Sequence, residues 1–417
     1  MTEPEPNVPW GGSVEPGFEA VLDAFRSGLA DFGEGGGAFS AFHRGRQVVD
    51  LWGGWQGPGA PWDADTLAVL FSTTKGLATL CLQILHDRGS LDLDAHVSDL
   101  WPEFAQAGKG SVRVHHILAH TAGVLAPHDP GSFLRWGDPS GWDDDERLDA
   151  ALAAAIAAPR PVGATFNYHA LTFGWLASAI VRRLTGMSAG RFLETEVAQP
   201  LGVDLRIGTG PADQSRVAPV IAAPAVELPT EVAALVARIR AIARDPDTLM
   251  GRSFLALPDG DLIDNILALN DPGFLVAEIP AINGTATARG LASLYATLAG
   301  GGELDGVRIV SPASIDRFRT VQIHGPNEME LDWDPAPSTV ELHIRMLGYH
   351  GSTKPFGQPR RLGPSPTAFG HDGLGGQIAF ADPERGISAA FIRNRMTFAP
   401  TYSERLLELL YGCADRA

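Results

Sequence analysis

The chain has 417 residues, 45% of them hydrophobic and 19% charged, with a formal net charge of -17. This length is too great for one simple core and predicts two structural units. The apolar share excludes a disordered chain, and an acidic balance without any basic run excludes a surface that tracks nucleic-acid phosphates.

The N-terminal "MTEPEPNVPWGG" lacks the basic segment and apolar core of a signal peptide, and no apolar run reaches bilayer length. The expectation is a soluble protein with no membrane partner, kept in the cytoplasm. Residues 17 to 30 place apolar side chains at helical spacing, and "GAFSAFHRGRQVVDLWGGW" then alternates around an Arg-Gly-Arg turn, predicting helix followed by β-hairpin. From Ser72 to Arg88, Leu77, Leu80, Cys81, Ile84 and Leu85 recur at helical spacing and Gly89 stands at the C-cap, which predicts a buried helix beginning at Ser72.

Residues 90 to 290 read as helices broken by Pro and Gly, with no good strand pairs. Within them "LPTEVAALVARIRAIARD" predicts an amphipathic helix capped at Thr230, with Val232, Leu235, Val236, Ile239 and Ile242 on its apolar face. "WDDDERLD" reads as an acidic helix start. After about residue 285, "ATARGLASLYATLAGG" predicts a helix, "GGQIAFADPERGISAAFIRN" two strands joined by a turn, and "TYSERLLELLYG" a last helix. Strands at both chain ends with helices between them predict an α+β fold, in which one antiparallel sheet is built from the two termini and flanked by helices, with a mostly helical domain inserted. The expected division is 1–75 with 285–417 for the sheet domain and 76–284 for the helical one, including a lid-like insertion at 225–268.

Two serines compete for chemistry. Gly186-x-Ser188-x-Gly190 has the spacing of a nucleophile elbow, but an elbow needs a strand before it, and the preceding "ALTFGWLASAIVRRL" is helical. Gly186 closing one helix and Ser188 capping the next is the better reading. In "LFSTTKGL", Ser72 and Lys75 sit three apart at a helix start and so share a face, where the helix N-terminus favours negative charge on the serine oxygen. A desolvated Lys75 has its pKa pushed down and can serve as a base. The chain has just three lysines, Lys75, Lys109 and Lys354, and the neighbours of Lys75 are apolar. Lys354, in a Pro-Gly-rich loop, reads as solvated.

Further on, "PVGATFNYHALTFGW" offers Tyr168 just before a helix, and "FGHDGLGGQIAF" a Gly-rich strand edge with backbone N–H groups for a substrate carbonyl. Together these segments resemble the serine β-lactamase-like superfamily, which comprises class C β-lactamases, penicillin-binding DD-peptidases and family VIII carboxylesterases. Ser72-Thr73-Thr74-Lys75 matches its S-x-x-K motif. Tyr168-His169-Ala170 stands where the family has Tyr-x-Asn, and His371-Asp372-Gly373 where it has Lys-Thr-Gly or His-x-Gly. "ILAHTAGV" and "GMSAGRFLETEVAQPLG" look like two further family segments, so the resemblance covers nearly the whole chain.

The resemblance implies a β-lactamase/transpeptidase-like fold. It also implies Ser72 as the acylated nucleophile, Lys75 and Tyr168 as proton-transfer groups with the base left open, and the N–H groups of Ser72 and Leu374 as oxyanion donors, each worth about 3 to 4 kcal/mol. His169, His371, Asp372 and Gly373 are expected beside the substrate, His371 being equally readable as a strand-edge residue. Ala170 and His371 replace the amide and the fixed cation that hold β-lactams, which points to a carboxylesterase acting on small, short-chain esters. "YHALTFGW" and "AFADPERG" look closest to family VIII. A β-lactamase or DD-peptidase, an acyltransferase using the same acyl-enzyme, and a non-catalytic binding module are the alternatives.

No cofactor and no metal are expected. His115, His116 and His120 have no accompanying acidic or thiol ligand and read as structural. Cys81 and Cys413 form neither a disulfide framework nor a metal spacing and read as reduced packing residues.

Overall fold

The computed structural model describes residues 8–158, 161–223, 230–332, 342–351, 362–397 and 401–417. Lys354, the first seven residues and positions 225–229 of the expected insertion lie outside them. A ten-stranded antiparallel sheet dominates, in the spatial order Trp10–Val14, Arg46–Gly57, Gly36–His43, Ile387–Arg393, Ile378–Asp382, Phe369–Asp372, His350–Gly351, Leu342–Arg345, Ile323–Pro326, with Ala60–Pro61 paired to Arg46–Gly57. The N-terminal hairpin therefore lies directly against the C-terminal strands. Its turn places Arg44 at φ 51° and Gly45 at φ 76°, the left-handed geometry that suits a two-residue hairpin loop.

Alternation along the central strands sends side chains to two different cores. Ala38, Phe42, Ala379, Ala381, Ala390 and Ile392 face the larger one, where Leu291, Ala292 and Leu294 of the Ala288–Ala299 helix meet them. Four of those six are alanines, which lets the helix lie close to the sheet. Phe39, Ala41, Ile378, Phe380, Ala389 and Phe391 face the other core, closed by the helices Glu19–Ser27 and Thr401–Ala414. Each buried Phe contributes roughly 1.5–3 kcal/mol. The polar positions of the hairpin pattern are not all solvent-facing: Ser40 is fully buried and donates to Val49 O at 3.1 Å, because both faces of this strand are covered.

The middle of the chain is mainly helical, as its periodicity predicts. One expectation fails there, since a second sheet of four very short strands joins Leu205–Arg206, Thr285–Ala286, Leu67–Val69 and Val217–Ala218. Strands of two or three residues are too short to leave any periodicity. The Thr230–Ala243 helix forms as expected, but Leu235 and Val236 are 47% and 38% exposed. Among the described residues its packed side chains lie at the C-terminal end, with Ile239 and Ile242 beside Ala243, Met250 and Met329. Among the described residues no helix is long and apolar enough to cross a membrane.

The Thr74–Asp87 helix is the element that positions the site. Leu77, Leu80, Cys81, Ile84 and Leu85 are all buried, and Gly89 at φ 73° ends the helix. A 3-10 turn, Phe71–Thr73, leads into it, and three hydrogen bonds with Gly284 and Gln377 tie down the residues on either side of this turn. Leu70 N donates to Gly284 O at 2.8 Å, Gly284 N donates to Thr74 Oγ1 at 3.0 Å, and Gln377 Nε2 donates to Val69 O at 3.0 Å. Phe71 takes a left-handed φ of 47°, a costly conformation for a bulky residue that persists only where the surroundings enforce it.

Candidate active site

A cavity of about 360 Å³ opens at this turn, between the helical region and the sheet edge. Ser72 lines it, with Tyr168, His371, Asp372, Gly373 and Leu374. Lys75 lies directly behind, fully buried, its Nζ 3.1 Å from Ser72 Oγ and 3.0 Å from Ala281 O. Burial pushes the Lys75 amine well below its ordinary pKa, and the Arg345 cation lowers it further while Asp372 opposes. A neutral amine in that place donates to Ala281 O and offers its lone pair to the serine hydroxyl. Lys75 also sits 4.9 Å from the centre of the Tyr168 ring. Burial raises the Tyr168 phenol, and its hydrogen bond with Ser72 and the charge of Arg345 pull it back.

Tyr168 is held by backbone contacts that its own motif does not reveal. Its N–H donates to Asn327 Oδ1 at 3.2 Å, its carbonyl accepts from Ser253 Oγ, and the Ala170 N–H donates to the same Ser253 oxygen at 3.3 Å. Ser253 ends the Leu249–Ser253 helix inside the 225–268 segment, and Phe254 and Leu262 of that segment line the cavity. His120 lies beside the Tyr168 ring at 4.9 Å and accepts from His169 N at 3.0 Å, at a left-handed φ of 58°. It is a structural histidine.

The structure separates the residues expected beside the substrate. His169 is fully buried and does not line the cavity: its Nε2 accepts from Val124 N at 3.1 Å and its Nδ1 lies 2.6 Å from Asn167 O. With both nitrogens committed and burial lowering its pKa to about 4, it ties two loops together in its neutral form. His371 does line the cavity. Its Nδ1 lies 2.6 Å from Asp372 O, so that nitrogen carries the proton, while Nε2 is buried without a hydrogen-bond partner among the described residues. Burial, and after it the neighbouring His350, hold the ring well below the usual histidine range, so this edge carries no fixed cation. His350 Nε2 lies 2.9 Å from Asp372 Oδ1 and 3.1 Å from Asp372 N. His350, His371 and Asp372 form a cluster with metal-ligand chemistry, but apart from His371 Nε2 its polar atoms in these contacts already engage one another.

Gly373 owes its identity to crowding. A Cβ there would lie 2.4 Å from Leu70 O, so only glycine lets the sheet edge approach the serine turn this closely. Gly373 N donates to Gln377 O at 2.8 Å, and the Leu374 N–H, which follows it, makes no hydrogen bond among the described residues. Beside it, Gly375 and Gly376 adopt φ of 90° and 98°.

Ser188 lies outside the cavity. It caps the Ala189–Leu193 helix by accepting from Arg191 N, and its hydroxyl donates to Glu278 Oε1 at 2.6 Å, with Gly186 left-handed before it. Lys109 is fully buried, its Nζ donating to Gln106 O, Ala153 O and Ala155 O at 2.9, 2.8 and 2.5 Å, which seals the end of the Asp145–Ala154 helix. Sequence reasoning missed the far wall of the cavity, Asn327, Met329, Glu330, His343 and Arg345. No motif marks it, and the only signal is an Arg on the short Leu342–Arg345 strand.

A family model described as Beta-lactamase matches residues 22–411. The chain belongs to the beta-lactamase family. The esterase/beta-lactamase LipL of Mycobacterium tuberculosis is similar, 35% identical over 92% of this chain and 83% of that one. The crystal structure of a family VIII carboxylesterase superposes with a TM-score of 0.80 at 32% identity, covering 97% of this chain and 100% of that one. A penicillin-binding protein homologue from Caulobacter crescentus superposes with a TM-score of 0.79 at 34% identity over the same shares. This beta-lactamase family member is accordingly a serine hydrolase.

Proposed function

We propose that the chain is a serine carboxylesterase acting on short-chain carboxylic esters. The observation that carries this is the fully buried Lys75 amine at 3.1 Å from Ser72 Oγ, in a cavity whose histidine edge is neutral. Ser72 Oγ attacks the ester carbonyl while Lys75 and Tyr168 take its proton and pass it to the departing alcohol. The N–H groups of Ser72 and Leu374 receive the developing oxyanion. Water then attacks the acyl-enzyme and the carboxylic acid leaves, with no resident cofactor required. Phe71, Phe254, Leu262 and Ile282 give the cavity an apolar lining suited to a small acyl group.

The test is hydrolysis of p-nitrophenyl acetate, butyrate and octanoate by the wild type and Ser72→Ala. Activity should fall with acyl length and drop by about 10⁴-fold or more without the hydroxyl. Undiminished activity in Ser72→Ala, or a preference for octanoate, refutes the respective part of the reading. The name of the mycobacterial relative adds a second substrate to try, a chromogenic cephalosporin. Turnover of it faster than of the butyrate ester would make the chain a β-lactamase first.

A further inference from the structure

Arg345 is the sole Lys or Arg among the described residues that line the cavity, and its guanidinium stays protonated at any working pH. It is 7% exposed, and its Cζ lies 4.4 Å from the centre of the Phe166 ring and 5.4 Å from that of Tyr168. Lys75 Nζ lies 4.9 Å from the same Tyr168 ring, so the phenol stands close to two nitrogen bases of which only Arg345 is permanently charged. The sheet fixes this placement: Arg345 pairs with His350, and His350 pairs with Gly370, next to His371.

We propose that Arg345 is a positioning residue for the proposed esterase, a permanent cation against Tyr168 that keeps the Lys75–Tyr168 pair ready to accept the Ser72 proton. The proposal rests on the reading of Ser72 as the nucleophile. Its physical content does not depend on which partner is the base. A nearby cation disfavours a second positive charge on Lys75, keeping the amine free to accept, and it favours negative charge on the Tyr168 oxygen. Both effects push the proton off the pair. Among the described residues the other titratable groups around Tyr168 and Lys75 are His120, from the loop after the Val114–Leu118 helix, His169 beside Tyr168, and Asp372 and His371 from the Phe369–Asp372 strand, while Glu330, His343 and Glu404 line the cavity with Arg345. Asp372 opposes Arg345, and burial disfavours charge on the three histidines, so Arg345 is the permanent positive charge acting on the pair.

The test is the pH profile of kcat/KM for p-nitrophenyl butyrate in the full chain, comparing wild type, Arg345→Gln and Arg345→Lys, with melting curves and fluorophosphonate labelling of Ser72 alongside. In Arg345→Gln the acid limb should move up by about one pH unit and kcat/KM at pH values below the wild-type limb should fall about tenfold, while melting and final labelling stoichiometry stay near wild type. Arg345→Lys should return the limb to its wild-type position. A lost packing contact alone would lower activity without moving the limb. A folded Arg345→Gln enzyme whose limb is unmoved overturns the proposal. Should that chain not fold, Arg345→Lys decides, a limb displaced by about a full unit overturning the role of the charge. If the wild type shows no Ser72-dependent hydrolysis at all, the esterase reading fails first and this proposal falls with it, an outcome distinct from an unmoved limb in an active enzyme.

Discussion

Replacing Gly373 by alanine perturbs the site through a single methyl group. That Cβ would stand 2.4 Å from Leu70 O and 3.0 Å from Thr73 Oγ1, so the Leu70 carbonyl must retreat by about 0.6 Å merely to reach 3.0 Å. Leu70 is backbone, one residue before strained Phe71 and two before Ser72, and it is held by its bond to Gly284 O, so it cannot give way without moving the serine. The Leu374 N–H lies one residue beyond the methyl group, so the two proposed oxyanion donors are wedged apart. A displacement approaching 1 Å at reacting groups costs about 10²-fold, while local overpacking costs about 1–3 kcal/mol of stability. The expected result is kcat/KM for p-nitrophenyl butyrate lowered about 30- to 100-fold, KM little changed, and a melting temperature lowered by a few degrees. Retention of kcat/KM within about threefold in a folded Gly373→Ala enzyme would falsify the claim that this contact sets the serine turn against the sheet edge.

Ser188→Ala should keep ester hydrolysis near wild type while losing about 1–2 kcal/mol of stability through its helix cap and the Glu278 bond, read by denaturant melts. A large loss of activity there would remove Ser72 from its proposed place. Lys75 is buried with its pKa depressed, so between that lowered value and the ordinary 10.5 the unfolded chain binds a proton that the native one does not, and stability rises with pH. Wild type should therefore gain on Lys75→Met in melting temperature as pH increases through that window, and a flat difference would mean that Lys75 stays charged in the fold. Lys109→Met leaves three buried carbonyls without their shared donor and should destabilise the chain by about 2–4 kcal/mol with activity per folded molecule unchanged, checked by chemical denaturation and active-site titration.

Much of the fold was legible because its signals are local and repeated. The Thr74–Asp87 helix announces itself by five apolar residues at one spacing, and the hairpin by two strands around an Arg-Gly turn. The four-stranded small sheet was not legible, because pairing Leu67–Val69 with Thr285–Ala286 depends on chain segments more than two hundred residues apart and on strands shorter than any period. The site divides in the same way. Ser72 and Lys75 share one helical turn, so their approach follows from spacing alone. Ser253, Asn327 and Arg345 reach Tyr168 from separate elements, and nothing in their own neighbourhoods marks them. His169 shows the converse, a residue inside a recognisable motif whose ring the fold turns into a loop tie.

Spacing and periodicity by themselves determined the hairpin near each chain end, the helix that carries Lys75 one turn after Ser72, and the capping role of Ser188. Each is set within about four turns of helix or one hairpin, where backbone geometry leaves little choice. Tertiary structure decided the protonation states and the far wall of the cavity. Whether Lys75 is a base and His371 a neutral acceptor depends on how completely the sheet and the helices desolvate them and on which charges they bring near. Desolvation and Coulomb interaction depend on distance in space, and distance in space is fixed only when the chain has folded.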